Sequence, residues 1–206
     1  MPRLSNNRTL PNAIKQLKLC YALRNCGQVK VINAFDKSNN VNLYVYDDAN
    51  LKYSDWNNNK HAVLLSKTFN AQNPNNKTLV LLPLDGCIIT GAHFIQSGVC
   101  DCALLTDKEL SFVEFKTNAL SPNNFTISQH AQKAIDQLWH TYDGIIDTEC
   151  RNIGVNIKTI VSIDFYVVFD SELNVTGVRA DFQNLQNEFL INNNYPLFFE
   201  NSKQFK

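Results

Sequence analysis

The stretch of sequence that decides the fold is VCDCALLTDKELSFVEFK, residues 99–116. It contains two strand-like runs, residues 99–105 and 110–116, in which apolar side chains predominate. The four residues between the runs are polar, which is typical of a hairpin turn. We therefore expect two antiparallel strands in which Leu105 lies opposite Leu110.

The register of this hairpin places two acidic residues opposite each other. Continuing the pairing outward from the turn brings Asp101 to face Glu114, and directly opposed residues have Cβ atoms about 4.5–5.5 Å apart. Two carboxylates at that separation repel, and both ionise readily only when a cation or a shared proton lies between them. Lys116 follows Glu114 by two residues, so one face of the sheet is predicted to carry all three side chains.

These residues resemble the motif of the PD-(D/E)XK nuclease superfamily, which has the restriction-endonuclease-like fold. In that family an acidic residue lies on one strand of a hairpin and Glu-x-Lys lies on the next, as Asp101 and Glu114-Phe115-Lys116 do in this sequence. A helix then crosses back over the sheet, and an apolar stripe predicts such a helix over residues 126–145. The resemblance covers about residues 78–169 and implies an α/β protein whose central mixed β-sheet is flanked by helices.

The resemblance also implies roles for the motif residues. Asp101, Glu114 and the backbone carbonyl of Phe115 would be ligands of Mg²⁺ or Mn²⁺. Lys116 would orient the attacking water and stabilise the developing negative charge. Oxygen ligands with retained waters suit these cations, and such a metal acts as a Lewis acid on a phosphoryl oxygen. The implied activity is that of a divalent-metal-dependent endo- or exonuclease that hydrolyses phosphodiester bonds, in DNA in preference to RNA.

Two other interpretations of these residues stay open. The first is a non-catalytic nucleic-acid-binding or protein-interaction module on the same fold. The second is a surface patch in which Asp101 pairs with Lys116 and Glu114 faces solvent. A binding module, however, gains nothing from two opposed carboxylates, so the residues favour the nuclease.

The sequence departs from the family pattern at the first helix. Many members of the family carry a glutamate there, whereas the helix predicted over residues 12–25 contains no acidic residue. Asp36 or Asp85 could replace it, and Asp85 is the accessory candidate. The pair Asp85-Gly86 is also explained by turn chemistry, because both residue types are common in turns.

A second departure lies on the helix after the motif. Exonuclease-type members carry Gln-x-x-x-Tyr there, whereas Gln132, Gln137 and Tyr142 recur at intervals of five in this sequence. Five residues do not return to the same face of an α-helix. Gln132 and Gln137 are therefore candidate accessory residues that cannot both point into the site, and plain solvent exposure is the alternative for each.

Composition indicates a globular protein. The chain has 206 residues, of which 44% are hydrophobic and 18% charged, which suits a single domain spanning residues 1–206. No apolar run is long enough for a membrane span, and the N-terminus lacks the apolar stretch of a secretory signal. Six cysteines without a Cys-x-x-Cys pair are typical of reduced thiols. We expect a cytoplasmic protein that does not interact with membranes.

Charge is unevenly distributed along the chain, although the formal net charge is zero. Residues 1–80 hold 11 Lys and Arg against 4 Asp, and the first glutamate of the chain is Glu109. The basic, Asn-rich N-terminal part, residues 1–77, could face a polyanion such as nucleic acid, or the two excesses could meet as ordinary surface ion pairs. Two copies of the chain could also pair as a homodimer to cut both strands of a duplex.

The remaining elements follow from periodicity and turn signals. They are a helix over residues 12–25, a strand over 41–46, a loop or insertion over 47–76 except for a short helix turn or strand at 62–65, a hairpin formed by 78–84 and 87–90, a β-rich run over 155–169, a helix over 179–190 and a final strand over 196–199.

Overall fold

The computed structural model describes residues 9–91, 98–118, 123–173 and 176–206. The α-helices in these ranges are α1 (Asn12–Gln16), α2 (Leu19–Ala22), α3 (Val31–Ala34), α4 (Asn124–Trp139), α5 (Thr148–Asn152) and α6 (Arg179–Asn193). A π-helical segment (His140–Asp147) joins α4 to α5, and short 3₁₀ turns occur at Lys60–Ala62, Leu65–Lys67, Ile157–Thr159 and Thr176–Val178. The strands are β1 (Asp36–Ser38), β2 (Asn42–Asp48), β3 (Tyr53–Asn57), β4 (Phe69–Gln72), β5 (Leu79–Pro83), β6 (Cys102–Leu105), β7 (Glu109–Lys116), β8 (Ser162–Phe169), β9 (Leu197–Phe198) and β10 (Ser202–Gln204).

Six strands form a mixed central sheet in the order β1-β5-β6-β7-β8-β9. Strands β1, β5, β6 and β7 pair antiparallel, whereas β7, β8 and β9 pair parallel. A second sheet has the order β10-β4-β2-β3. The predicted α/β class, with a mixed central sheet flanked by helices, is confirmed.

The β6–β7 hairpin has the predicted register. Leu105 pairs with Leu110, and the pairing continues to Cys102 opposite Val113. The turn is fixed by Thr106, whose Oγ1 accepts the backbone N–H groups of residues 108 and 109 at 3.3 and 3.1 Å. This acceptor stabilises the turn, while the length of the turn sets which residues face each other further along the strands.

Strand β7 lies at the centre of the fold and is buried on both faces. Leu110 and Phe112 pack into the core beneath the helices. Val113 and Phe115 pack into a second core, against the four-stranded sheet. This alternation follows from the two-residue period of a strand. Full burial of one such side chain contributes about 1.5–3 kcal/mol, so the hairpin is anchored from both sides.

Helix α4 crosses from the end of β7 to the start of β8, as a parallel strand pair requires. The apolar stripe predicted over 126–145 is buried: Ile127, Ala131 and Leu138 contribute to the core under α4. The helix begins at Asn124 rather than 126, because the side chain of Asn123 accepts the N–H of Phe125 at 2.9 Å. It does not stop at 145, because it continues through the π-helical segment into α5.

The hairpin predicted from residues 78–84 and 87–90 is wrong. Strand β5 pairs instead with β1 and β6, and residues 84–89 form turns with an isolated parallel bridge between Asp85 and Ile89. The apolar residues Cys87, Ile88 and Ile89 are nevertheless buried. Their backbone N–H groups are bonded within the turns and their side chains pack into the core. A buried apolar run therefore does not require a strand.

Residues 47–76 were expected to be loop, yet they contain β3 and β4. Each of these strands buries only two residues. They are Ser54 and Trp56 on β3, and Phe69 and Ala71 on β4. The inward Ser54 is polar and the outward Tyr53 is aromatic, and strands this short give too few positions for alternation to be recognised.

The predicted helix over residues 12–25 is divided into α1 and α2. The interruption lies at Lys18, whose φ of 51° is left-handed and cannot continue an α-helix. The predictions of a strand near residues 41–46, a helix over 179–190 and a strand near 196–199 are confirmed as β2, α6 and β9.

The C-terminal strand closes the second sheet beside β4. Phe205 is fully buried, and the N–H of Lys206 donates to Glu109 Oε2 at 2.8 Å. Lys203 forms ion pairs with Glu109, at 3.3 Å, and with Asp164. Its side chain is only 8% exposed, so a buried cation ties the chain end to β7 and β8.

In the ranges that the structure describes, no helix has the length and apolar character needed to cross a membrane. All six cysteines lie in these ranges and are free thiols.

Candidate active site

Asp101 lies one residue before β6, at the open end of the hairpin. Its carbonyl accepts the N–H groups of Leu84 and Asp85 at 2.9 and 3.3 Å. Its N–H donates to Glu114 Oε2 at 3.1 Å, and its own Oδ2 accepts the N–H of Phe115 at 2.6 Å. Each of the two carboxylates therefore accepts a backbone N–H from the other side of the hairpin, which agrees with the predicted placement of Asp101 opposite Glu114.

Glu114 and Lys116 lie two residues apart on β7, on the face that packs beneath the helices. Glu114 is 2% exposed. The Lys116 ammonium donates to Glu114 Oε1 at 2.5 Å and to Gln137 Oε1 at 2.7 Å. Asp101, Glu114 and Lys116 are thus brought together, which excludes the surface patch with Glu114 facing solvent.

Burial controls the electrostatics of this pair of carboxylates. Loss of solvation raises the pKa of Glu114 to about 7, although the Lys116 charge opposes the shift. Burial also raises the pKa of Asp101 well above its ordinary value, and the negative charge of Glu114 raises it further. The site therefore favours an added cation or proton.

Two more acidic residues lie beside the site. Burial raises the pKa of Asp85, while its own backbone turn and the Lys116 charge lower it. Asp47 raises the pKa of Asp101 by its charge, and burial, followed by the charge of Asp85, raises the pKa of Asp47 itself. Sequence reasoning missed Asp47. Asp47 has the same parity on β2 as the buried Leu43 and Val45, but it lies at the exposed end of that strand, and nothing in the sequence indicates what it approaches.

Gln137 reaches the site from α4. Besides accepting the Lys116 ammonium, its side chain donates from Nε2 to the carbonyl of Val99 at 3.2 Å. Thr141, one helical turn later, accepts the N–H of Cys100 at 2.8 Å and donates to the Gln137 carbonyl at 2.7 Å. Sequence reasoning missed Thr141, because a threonine within an apolar helical pattern gives no distinguishing signal.

The structure does not bring Gln132 to the hairpin. Its Nε2 donates to Asp136 Oδ1 at 2.9 Å, and it lines a groove of about 770 Å³ between α4 and α6. Five helical residues turn the chain through about 500°, or roughly 140° from the starting direction, so only Gln137 faces β7. Tyr142 is also outside the site, because it is fully buried and its hydroxyl pairs with that of Tyr195 at 2.8 Å.

The donor set of the hairpin fits a small hard cation. Mg²⁺ is typically bound through one or two carboxylates and keeps several waters, and Asp101 and Glu114 supply two. The carbonyl of Phe115 is the further oxygen that the resemblance implies. No group of three or more His, Cys, Asp or Glu side chains in the described ranges has the arrangement of a complete protein-only metal site. Asp101 and Glu114 alone would leave the other coordination positions of such a cation to water.

Comparisons of this chain with protein-family models, with curated proteins and with solved structures find no match.

Proposed function

We propose that this protein is a divalent-metal-dependent nuclease that hydrolyses phosphodiester bonds, in DNA in preference to RNA. One observation carries the proposal: at the open end of one hairpin, the Asp101 and Glu114 carboxylates each accept a backbone N–H from the opposite side, and the Lys116 ammonium contacts Glu114. The helical crossover from β7 to the parallel strand β8 adds support, because the PD-(D/E)XK motif is expected in that context. The resemblance rests on the motif, the register and this order of elements.

The proposed roles are those that the resemblance implies. Asp101, Glu114 and the Phe115 carbonyl hold Mg²⁺ or Mn²⁺, which when bound supplies Lewis-acid activation and lowers the pKa of a bound water. Lys116 places a positive charge beside the reacting phosphate and orients the water. Gln137 holds the Lys116 ammonium, so that this charge stays at the site.

The second candidate is a non-catalytic binding module on the same fold. It is favoured by the absence of any acidic residue from the sequence of α1, α2 and α3. The burial of the Glu114 carboxylate argues against it. Removing a charged group from water is unfavourable, and docking a partner does not require a buried carboxylate.

The test is cleavage of linear, nicked, branched and single-stranded DNA, and of matched RNA, with Mg²⁺ or Mn²⁺. Asp101→Ala and Glu114→Ala should abolish cleavage because they remove metal ligands, and EDTA should abolish it in the wild type. Lys116→Ala should lower turnover by roughly 100- to 1,000-fold, while metal and DNA binding are retained, because its charge is needed in the transition state.

Lys133→Ala is the matched control, because Lys133 is exposed on α4. It should cleave like the wild type, which would show that loss of one lysine charge is not enough. If the wild type cuts no substrate faster than Lys116→Ala does, the nuclease proposal is refuted and the binding module is preferred.

A further inference from the structure

We propose that Thr141 is a positioning residue of the site: its hydroxyl fixes the backbone next to Asp101 and so holds that carboxylate opposite Glu114. This inference rests on the proposed nuclease function and adds to it a residue outside the motif. It assigns a specific task to the π-helical segment in which Thr141 is the second residue.

Asp101 needs such support because it lies outside the strand ladder. Strand β6 begins at Cys102, so the preceding residues are held by other contacts. The N–H of Cys100 is bound by the Thr141 hydroxyl at 2.8 Å, and the carbonyl of Val99 is bound by Gln137 at 3.2 Å. One face of the helix thus binds both polar groups of the peptide unit that joins Val99 to Cys100, one residue before Asp101.

The hydroxyl of Thr141 has a partner both as acceptor and as donor. It is 0% exposed, accepts from Cys100 and donates to the carbonyl of Gln137 at 2.7 Å. The side chain of Gln137 accepts the Lys116 ammonium at 2.7 Å. Thr141 therefore links the chain before Asp101 to the residue that holds Lys116, so it contributes to the spacing of both catalytic strands.

The local helix geometry is a second indication. The π-helical segment begins at His140, one residue before Thr141. Single π-turns within α-helices are uncommon and occur frequently at functional sites. Here the departure from α geometry coincides with the position at which the helix contacts the backbone of the site.

The experiment compares Thr141→Val, which keeps the shape and loses the hydroxyl, with Thr141→Ser, which keeps the hydroxyl. Affinity for Mn²⁺ is measured by calorimetry without substrate, and kcat and KM are measured with the cleaved DNA. Thr141→Val should weaken Mn²⁺ binding by about 10- to 100-fold, the usual effect of losing a group that orients a metal ligand. It should lower kcat more than it raises KM, and Thr141→Ser should restore both.

Thr106→Val is the matched control for loss of stability. Thr106 is also buried and also binds backbone N–H groups through its hydroxyl, but it lies at the turn of the same hairpin, at the opposite end from Asp101. It should be destabilised in urea to a similar degree, with Mn²⁺ affinity and kcat unchanged. If Thr141→Val is not folded, Thr141→Ala takes its place in the same comparison.

The outcomes separate this inference from the proposed function. Equal Mn²⁺ affinity and kcat in Thr141→Val and wild type, with cleavage lost in Asp101→Ala, would overturn the positioning role and leave the nuclease intact. The same loss of Mn²⁺ affinity in Thr106→Val as in Thr141→Val would overturn it too, since the effect would then be one of stability. A wild type that neither binds Mn²⁺ nor cleaves any substrate refutes both proposals.

Discussion

The buried Glu114 carboxylate should make the metal-free protein less stable as the pH rises. Its pKa is raised from the ordinary 4.5 to about 7 in the folded chain. The associated stability is fully present below about pH 4.5 and is lost as the pH rises through about 7. A tenfold change in an acid constant corresponds to about 1.4 kcal/mol, so Glu114 should lower the free energy of unfolding by about 3 kcal/mol between about pH 4.5 and pH 8.

Urea denaturation in EDTA, followed by tryptophan fluorescence at several pH values, measures this loss. Glu114→Gln is the comparison, because its amide cannot ionise, although the amide can lose some of the contacts made by the carboxylate. The difference between the two pH profiles, rather than the stability at one pH, therefore isolates the ionisation. Parallel profiles would refute the reasoning, as would a wild type that gains stability relative to Glu114→Gln up to pH 8. Adding Mg²⁺ at pH 8 should stabilise only the wild type.

Two further predictions concern the scaffold. Lys203→Met should cost about 3–5 kcal/mol in urea at pH 7, because it leaves the Glu109 and Asp164 carboxylates without their buried cation; the cost should shrink near pH 4, and equal costs at the two pH values would contradict the ion-pair explanation. Gly27→Ala should cost about 1–3 kcal/mol, because its Cβ would lie 2.2 Å from the carbonyl oxygen of Ile88; thermal unfolding should show it as a Tm lower by roughly 2–4 °C per kcal/mol, and an unchanged Tm would rule out the close contact.

The hairpin could be predicted from sequence because its information is local. A turn of fixed length sets the register, and the two-residue period of a strand then decides which side chains share a face. The placement of Asp101 opposite Glu114 on one face follows from these two facts. The pairing of β5 with β6 could not be obtained in the same way, because the buried run at residues 87–89 looks like a strand whether or not it pairs.

The other residues of the site are brought to the hairpin by tertiary contacts that sequence periodicity does not reveal. Asp47 is brought to it by the packing of the second sheet, and β3 and β4 of that sheet look like polar loop in the sequence. Thr141 contacts the hairpin from a π-helical segment whose hydrogen bonding has no simple periodic signature. Gln137 is the intermediate case, since helical spacing allows only one of the two candidate glutamines to face β7 and does not say which.

The two acceptors of the Lys116 ammonium differ in a way that bears on its proposed role. Glu114 offers a carboxylate, and burial raises the pKa of this group to about 7. Its attraction for Lys116 therefore depends on pH and on any other cation that it binds. Gln137 offers a neutral amide oxygen at 2.7 Å that does not ionise. When Glu114 is protonated, or bound to a metal, its hold on Lys116 weakens whereas that of Gln137 persists. If the protein is the proposed nuclease, Gln137 is therefore the contact that would keep the lysine in place when Glu114 binds the metal, and α4 is the element that supplies it.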